Sequence, residues 1–512
     1  MVKKKTFIQG AFILTIANFI TRIIGFIYRI ILSNLIGAEG MGIYQLVFPI
    51  YILSLSLVTG GFSVAVSSLV SRESARNNHR CSFNIVNTAL KIVISLSLII
   101  SLFLLLSSKW LSSNILRDNR TFATLLIFAP AIFIIATSSI IRGFFEGMQD
   151  VTPNAIANII EQVSRVIIVL GLLYFLNGVN IPYSVSSAIA MLGNIAGEIF
   201  GFFYLSYAFH RERKIYRDIR LNTKSYFGDI MAISIPLTVN RVIINALSAL
   251  DNILIPQRLL VAGLNSTQAV SIYGEFTGMA MPLIFFPSII TNSLAVTLIP
   301  AISEAYSTKN RHLINRRVRQ AVDVSLIIGF LTMAIFLSLP EPIAGMLYSA
   351  DHVGQMLFWL SFTIAPIFLN QVFASILNGL NLQVITFRNS FIAACIRLYF
   401  TYVLVAVPQL GINGYIIGII ISYAILNALD YTSLKKHTNI SIGLNSFIYP
   451  CLAAFFTYFG LKYSFVYLSL TGINKAVNLL ISLGFGCLLY TIILMCFGVI
   501  TINAIKKLFR IR

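Results

Sequence analysis

Acidic residues are scarce in this 512-residue sequence: 17 Asp and Glu stand against 37 Lys and Arg, and charged residues of both signs make up only 11% of the chain. An ordinary soluble domain carries about 25%, so a water-soluble globule is excluded. Cysteines are few, odd in number and scattered (Cys81, Cys395, Cys451, Cys487, Cys496), with no C-x-x-C spacing, which indicates neither a disulfide framework nor a zinc site. The histidines (His79, His210, His312, His352, His437) fall in loops or at the ends of apolar windows, so a His proton relay is excluded. The two tryptophans, Trp110 and Trp359, form no stacking platform. No Walker A loop, HExxH, GxSxG or DxD occurs, so enzymatic chemistry has no visible carrier, no cofactor is implied, and transport driven by the chain's own ATP hydrolysis is excluded.

Apolar residues, at 57%, are what the chain has in excess. At ~20 to 25 residues per bilayer crossing they build on the order of a dozen transmembrane helices and leave little for a domain outside the membrane. Apolar windows fall at about 7–35, 43–70, 83–107, 122–145, 154–176, 184–209, 226–250, 271–300, 321–340, 355–380, 384–407, 411–430, 444–463 and 476–503, which predicts fourteen spans. The first window is too long for a signal-peptide core and lacks a cleavage site, so it is expected to remain as a span.

An even count places both termini on one side, and the charges orient them. With the N-terminus cytoplasmic, 25 Lys and Arg lie in inner segments and five in the short outer loops. That bias predicts both termini inside, and the formal net charge of +20 reads as topology and as contact with anionic membrane lipids, not nucleic acid.

Weak self-similarity recurs near one offset: Tyr44 with Tyr273, and Ser71 with Ser303, Gly147 with Gly379 and Arg165 with Arg397, the last three 232 residues apart. Six spans separate the partners, so the halves share an orientation. The expected architecture is an all-α integral membrane fold of two pseudo-symmetric six-helix lobes plus two C-terminal helices: 1–220, 221–435 and 436–512. The basic run Arg211 to Lys224 is the expected linker, and Lys435 to Ser441 sets off the last pair.

Charged groups at bilayer depth cost at least ~2.5 to 3.5 kcal/mol each, so they turn toward a bundle interior, a cavity or each other. Asn18, Arg22, Gly25 and Arg29 share one helical face in the first span; Asn158, Glu161, Gln162 and Arg165 share one in the fifth; Arg241, Asn245, Ser248 and Asn252 share a third, beside Asp251, in the seventh. Glu161 and Arg165, at i and i+4, are expected to pair within their helix. Arg22 and Arg29 have no carboxylate within a helical turn. Lys91 and Lys462 are read as snorkelling at span ends. With Arg397 in the eleventh span, the interior holds five arginines against Glu161, Glu198, Asp251 and Glu275. Guanidinium groups bind phosphate bidentately and stay charged, so an anionic cargo, a phosphate or diphosphate, is favoured. Gly, Pro and Ser crowd the stretch from Ala249 to Ala305, which is expected to hold a broken, hinge-bearing helix.

Ile272 to Tyr306 (IYGEFTGMAMPLIFFPSIITNSLAVTLIPAISEAY) resembles a signature of the stage V sporulation protein B group of polysaccharide exporters. Thr21 to Leu53, Gly60 to Ala75 and Arg142 to Ile156 (RGFFEGMQDVTPNAI) resemble the same group, so the likeness covers essentially the whole chain. The group lies in the multidrug/oligosaccharidyl-lipid/polysaccharide (MOP) flippase superfamily, with the MurJ-like lipid II flippases as relatives carrying two extra C-terminal helices. The resemblance implies export of an undecaprenyl-diphosphate-linked sugar precursor, lipid II foremost, for peptidoglycan or spore-cortex synthesis by alternating access, with cell-wall synthesis enzymes as candidate partners. It also implies a cavity arginine at Arg22; a second one falls on Tyr28, while this chain carries its charge at Arg29. The group's Arg and Glu in the eighth span meet Phe276 and Met279, with Glu275 the acid nearby, and an arginine expected shortly before Gly60 is absent. In the group the last two helices and the second lobe form an apolar groove for the lipid tail.

The expected cargo site is therefore Arg22, Arg29, Arg165, Arg241 and Arg397 with Asn18, Glu161, Asn245 and Glu275, and the coupling ion is left unidentified. Two competing functions are an ion-coupled exporter of organic cations, using Asp251 or Glu198, and an integral-membrane glycosyl polymerase, against which the short outer loops count.

Overall fold

The computed structural model describes residues 7–76, 78–176, 181–215, 225–348, 350, 352–438 and 443–499, with side chains from residue 16 onward except at 79 and 215. Every regular element among them is helical: α1 (Phe7–Thr59), α2 (Phe62–Ala75), α3 (His79–Trp110), α4 (Phe122–Phe128), α5 (Ala131–Gly147), α6 (Thr152–Phe175), α7 (Tyr183–Ile215), α8 (Phe227–Val261), α9 (Ser266–Gly274), α10 (Met281–Phe285), α11 (Ser288–Ser307), α12 (Arg311–Ser338), α13 (Pro340–Leu347), α14 (Val353–Gly379), α15 (Gln383–Leu404), α16 (Ile412–Thr438), α17 (Asn445–Leu470) and α18 (Lys475–Cys496). Short π-helical turns occupy Leu111–Ile115 and Glu275–Ala280. The second joins α9 to α10, where Gly and Pro weaken the α-helical ladder, as the sequence led one to expect of this stretch.

By length and apolarity, eleven described helical segments can cross a membrane, or twelve if Asn119–Phe128 and Ala131–Gly147, bent by 43°, form one span. The chain is thus an all-α, multi-pass membrane protein. The expected spans 7–35 and 43–70 are not separated: α1, 53 residues long, holds the first and most of the second, and one 60-residue candidate segment, Ile16–Ala75, runs from α1 through α2. Gly37 interrupts α1 with φ 69° and ψ 177°, a left-handed φ at which a Cβ is strained.

The described residues pack as two compact units. The first runs to Leu260 and includes Leu264–Gly274; the second holds Val261–Gly263 and everything described from Glu275 on. Packing therefore assigns α8 and α9 to the unit of α1 to α7, whereas the repeat places them in the second lobe. The expected 220/221 boundary lies outside the described residues, and that at 435/436 falls within α16. In the first unit, α2, α3, α5 and the start of α8 share one apolar core around Val66, Val86, Phe128, Ile140, Phe144 and Tyr226. In the second, Ile302, Val318, Val322, Val372, Phe373 and Ile376 join α11, α12 and α14. A smaller core of Ala334, Ala453, Tyr490 and Leu494 seats α17 and α18 on α12.

The 232-residue offset recurs in the backbone. A Cβ on Gly147 would meet the Ser67 carbonyl at 2.7 Å and Val70 Cβ at 2.8 Å; one on Gly379 would meet the Ile299 carbonyl at 2.9 Å and Ile302 Cβ at 2.9 Å. Both helices then end alike. Gln149 (φ 60°) and Asn381 (φ 61°) are left-handed, and the amides of Asp150 and Leu382 close back onto the carbonyls of Phe145 and Leu377 at 3.0 and 2.9 Å. Asn78 onto Glu73 and Asn310 onto Ala305, each at 3.0 Å, are a further matched pair. Each unit thus contains the same close helix crossing, made possible by a residue without a side chain.

Candidate functional site

The polar faces read from the sequence of the first and fifth spans meet in the first unit. α1 and α6 pack together, and the Asn158 amide donates to Asn18 Oδ1 at 3.4 Å. One turn and more along, Gly25 leaves room for Gln162, whose Nε2 would lie 3.3 Å from an added Cβ. Tyr28 is buried in a small core with Leu32 of α1 and Val169 of α6. Asn18, Gly25, Glu161, Gln162 and Arg165 are therefore neighbours.

Glu161 does not pair with Arg165. Its buried carboxylate takes the guanidinium of Arg142, which also donates to Asn158 Oδ1 at 2.5 Å. Arg165 donates instead to Gln162 Oε1 at 3.2 Å, and its Nε is buried without a hydrogen-bond partner. The reason lies on the flanking helices. α5 brings Arg142 across from its penultimate turn, and α7 offers Gly201, against which the Glu161 side chain lies; an added Cβ there would approach its Cδ at 2.7 Å. Gly193, Gly197 and Gly201, four residues apart, let α7 approach the α6 backbone closely. Arg142, counted from the sequence with the inner loops, is thus an intrahelical-bundle residue of this site. Its place inside the apolar window 122–145 was the available signal.

Arg22 and Arg241 are exposed, and among the described residues neither side chain has a hydrogen-bond or ion-pair partner. Arg29 is half-buried on the same face of α1 as Arg22. Asn245 is used differently from expectation: its amide donates to Ser56 Oγ of α1, and with Thr238 Oγ1 accepting from the Gly61 amide at 2.9 Å it fastens α8 to the α1–α2 corner. Asn252 donates to the Ser248 carbonyl at 2.7 Å and accepts from Tyr273 at 3.3 Å. Asp251 is buried, turned from the exposed side of α8.

Two of the expected site residues belong to the second unit. Glu275 is buried in the π-helical turn, and Arg397 is half-buried in α15. That unit holds a polar network the sequence did not single out: Asp430 of α16 accepts from Asn389 of α15 at 2.9 Å and from Asn370 of α14 at 3.0 Å, and Arg388 donates to Asn389 Oδ1 at 2.9 Å. Between α12, α14 and α17 lies an apolar cavity of about 330 Å³, walled by Phe330, Met333, Phe358, Phe362, Phe455 and Phe459. Among the described residues no group of three or more His, Cys, Asp or Glu could hold a metal ion.

Comparison with known proteins places this arrangement. A family model described as "Polysaccharide biosynthesis protein" matches residues 7–306, and the MatE model matches 225–403. The chain is 32% identical over 518 aligned residues to stage V sporulation protein B of Bacillus subtilis (strain 168), covering 99% of this chain and 98% of that one. To the lipid II flippase MurJ of the same organism it is 23% identical, covering 85% and 83%. A solved structure of a lipid II flippase MurJ in an inward closed conformation shares the fold, with a TM-score of 0.73 at 15% identity over 94% of this chain and 98% of that one. The chain belongs to the polysaccharide biosynthesis protein family of the MOP superfamily, homologous to the stage V sporulation protein B and MurJ-like flippases, and is a membrane transporter and not an enzyme.

Proposed function

We propose that this protein flips an undecaprenyl-diphosphate-linked sugar precursor, lipid II foremost, across the bacterial cytoplasmic membrane by alternating access. The observation that carries the reading is the state of Arg22: an exposed guanidinium in an apolar helix, with no partner among the described residues, on the same helical face as Arg29. Turned to lipid it would cost at least ~2.5 to 3.5 kcal/mol, so it faces water and is available to an anion. A diphosphate matches the fork geometry of guanidinium. The amides of Asn18, Asn158 and Gln162 suit sugar hydroxyls, and Gln162 Nε2 is buried without a partner on the side of α1. Arg241, also exposed and without a partner among the described residues, adds a further cation in the same unit. The apolar cavity beside α17 suits part of the polyprenyl tail. The names of two relatives, a lipid II flippase and a sporulation protein, favour a role in peptidoglycan or cortex synthesis.

The membrane arrangement belongs to this proposal. A straight α1 would be about 80 Å long at 1.5 Å per residue, more than twice the ~30 Å hydrocarbon core, so it makes two crossings divided at Gly37. With α15 counted as a span, the total is fourteen and both termini are cytoplasmic. The sequence repeats 1–220 and 221–435 are the lobes that rock, and 436–512 adds the last two helices. The test is rescue of a bacterium whose own lipid II flippase is shut off: growth is expected, and failure despite full membrane insertion would point to a different glycolipid.

A further inference from the structure

Glu198 stands near the middle of α7, half-buried, and among the described residues it makes no direct hydrogen bond or ion pair. Three of the helices packed against α7 carry charged or titratable neighbours of Glu198: Arg142 of α5, Glu161 and Arg165 of α6, and Tyr51 of α1. The Glu161 side chain lies against Gly201, three residues along α7 from Glu198. One turn away on α7, the Asn194 amide donates to the hydroxyl of Tyr44 at 2.5 Å. Two carboxylates and two guanidiniums thus share the bundle with no net charge. They are not equivalent, because Glu161 already holds Arg142 and Arg165 is tied to Gln162. Glu198 balances the cluster from a distance, so it is the member that a proton neutralises without breaking a bond.

We propose that Glu198 is a proton-binding site linked to cargo binding, so that a proton on Glu198 and an anionic headgroup on the α1–α6 face favour one another. This rests on the reading of an anionic cargo. Protonation leaves the cluster at +1, and the excess sits behind Asn158 and Gln162, the residues that line α1 beside Asn18 and Gly25. The buried, unpartnered Nε2 of Gln162 and Nε of Arg165 are donors awaiting such an anion. Linkage is reciprocal: cargo binding must raise the proton affinity of Glu198 by the factor by which the proton raises that of the cargo.

The test uses the purified full chain and an undecaprenyl-diphosphate sugar, a diester lacking the second ionisation near pH ~6 of a phosphate monoester. Affinity is expected to fall as pH rises through the titration of Glu198, by up to about tenfold per pH unit. Glu198→Gln, neutral at every pH, should hold the acid-limb affinity throughout. Independently, infrared pH-difference spectra without cargo should show a carboxyl band that Glu198→Gln removes. Binding that ignores pH, a slope that survives Glu198→Gln, or a spectrum unchanged by the variant overturns the proton site. Absence of binding at any pH overturns the cargo reading instead, while the infrared band still decides for or against the proton site.

Discussion

Replacing Gly201 by Ala tests whether Glu161 is fixed by the three helices around it. An added Cβ would lie 2.7 Å from Glu161 Cδ, inside van der Waals contact, so the carboxylate must move or α7 must separate from α6. Overpacking of this kind costs about 1 to 3 kcal/mol, and a displaced Glu161 also weakens its pair with Arg142. Against this, Ala is the better helix former by about 1 kcal/mol. With about 1 kcal/mol added for the weakened pair, the net expectation is a loss of about 1 to 3 kcal/mol. Glu161→Ala alone leaves Arg142 without its carboxylate and should cost about 3 to 5 kcal/mol. With the Glu161 side chain already gone, the three atoms nearest the added Cβ are gone too, and the second substitution should stabilise by about 1 kcal/mol. The double-mutant cycle, read by unfolding of the detergent-solubilised protein, is therefore expected to give a coupling of about 2 to 4 kcal/mol. An equal cost of Gly201→Ala in both backgrounds would refute the placement of Glu161 beneath α7.

Arg22→Ala and Arg241→Ala should leave stability within about 0.5 kcal/mol, since among the described residues neither side chain has a partner to abandon, while transport falls at least tenfold; a loss of folding with transport retained per folded molecule would reverse their assignment. Arg142→Ala should do the opposite first, lowering the thermal midpoint, because it strands the buried Glu161. Asp430→Leu leaves the amides of Asn370 and Asn389 without their acceptor, at about 1 to 3 kcal/mol for each unsatisfied group, whereas Asp430→Asn should be far milder; chemical denaturation compares them.

Much of the fold was legible because membrane spans announce themselves by length and apolarity. Windows at 154–176, 355–380 and 384–407 meet α6 (Thr152–Phe175), α14 (Val353–Gly379) and α15 (Gln383–Leu404) within a few residues. The 232-residue repeat was legible as well, since Gly147 and Gly379 are where two helices touch backbone to backbone and no other residue fits. Helix periodicity put Asn18 with Gly25 on one face and Asn158 with Gln162 on another; that these two faces meet is shown by the structure alone. Pairing across helices was not legible: i and i+4 spacing offered Arg165 to Glu161, but Arg142 arrives from α5 and the Glu161 side chain lies against Gly201 of α7. Asn245 likewise shares a face with Arg241, yet its partner Ser56 lies 189 residues away. Nor does apolarity count crossings where α1 runs on through Gly37, or where Asn370, Asn389 and Asp430 meet from three helices.

The most direct measurement is translocation in proteoliposomes, with a fluorescent lipid II in the inner leaflet and its arrival outside read by an impermeant quencher. The account predicts transfer by the wild-type chain, at least tenfold less by Arg22→Ala, and none for a polyprenyl sugar lacking the diphosphate. Equal transfer of the uncharged lipid, or an undiminished rate in Arg22→Ala, would contradict it.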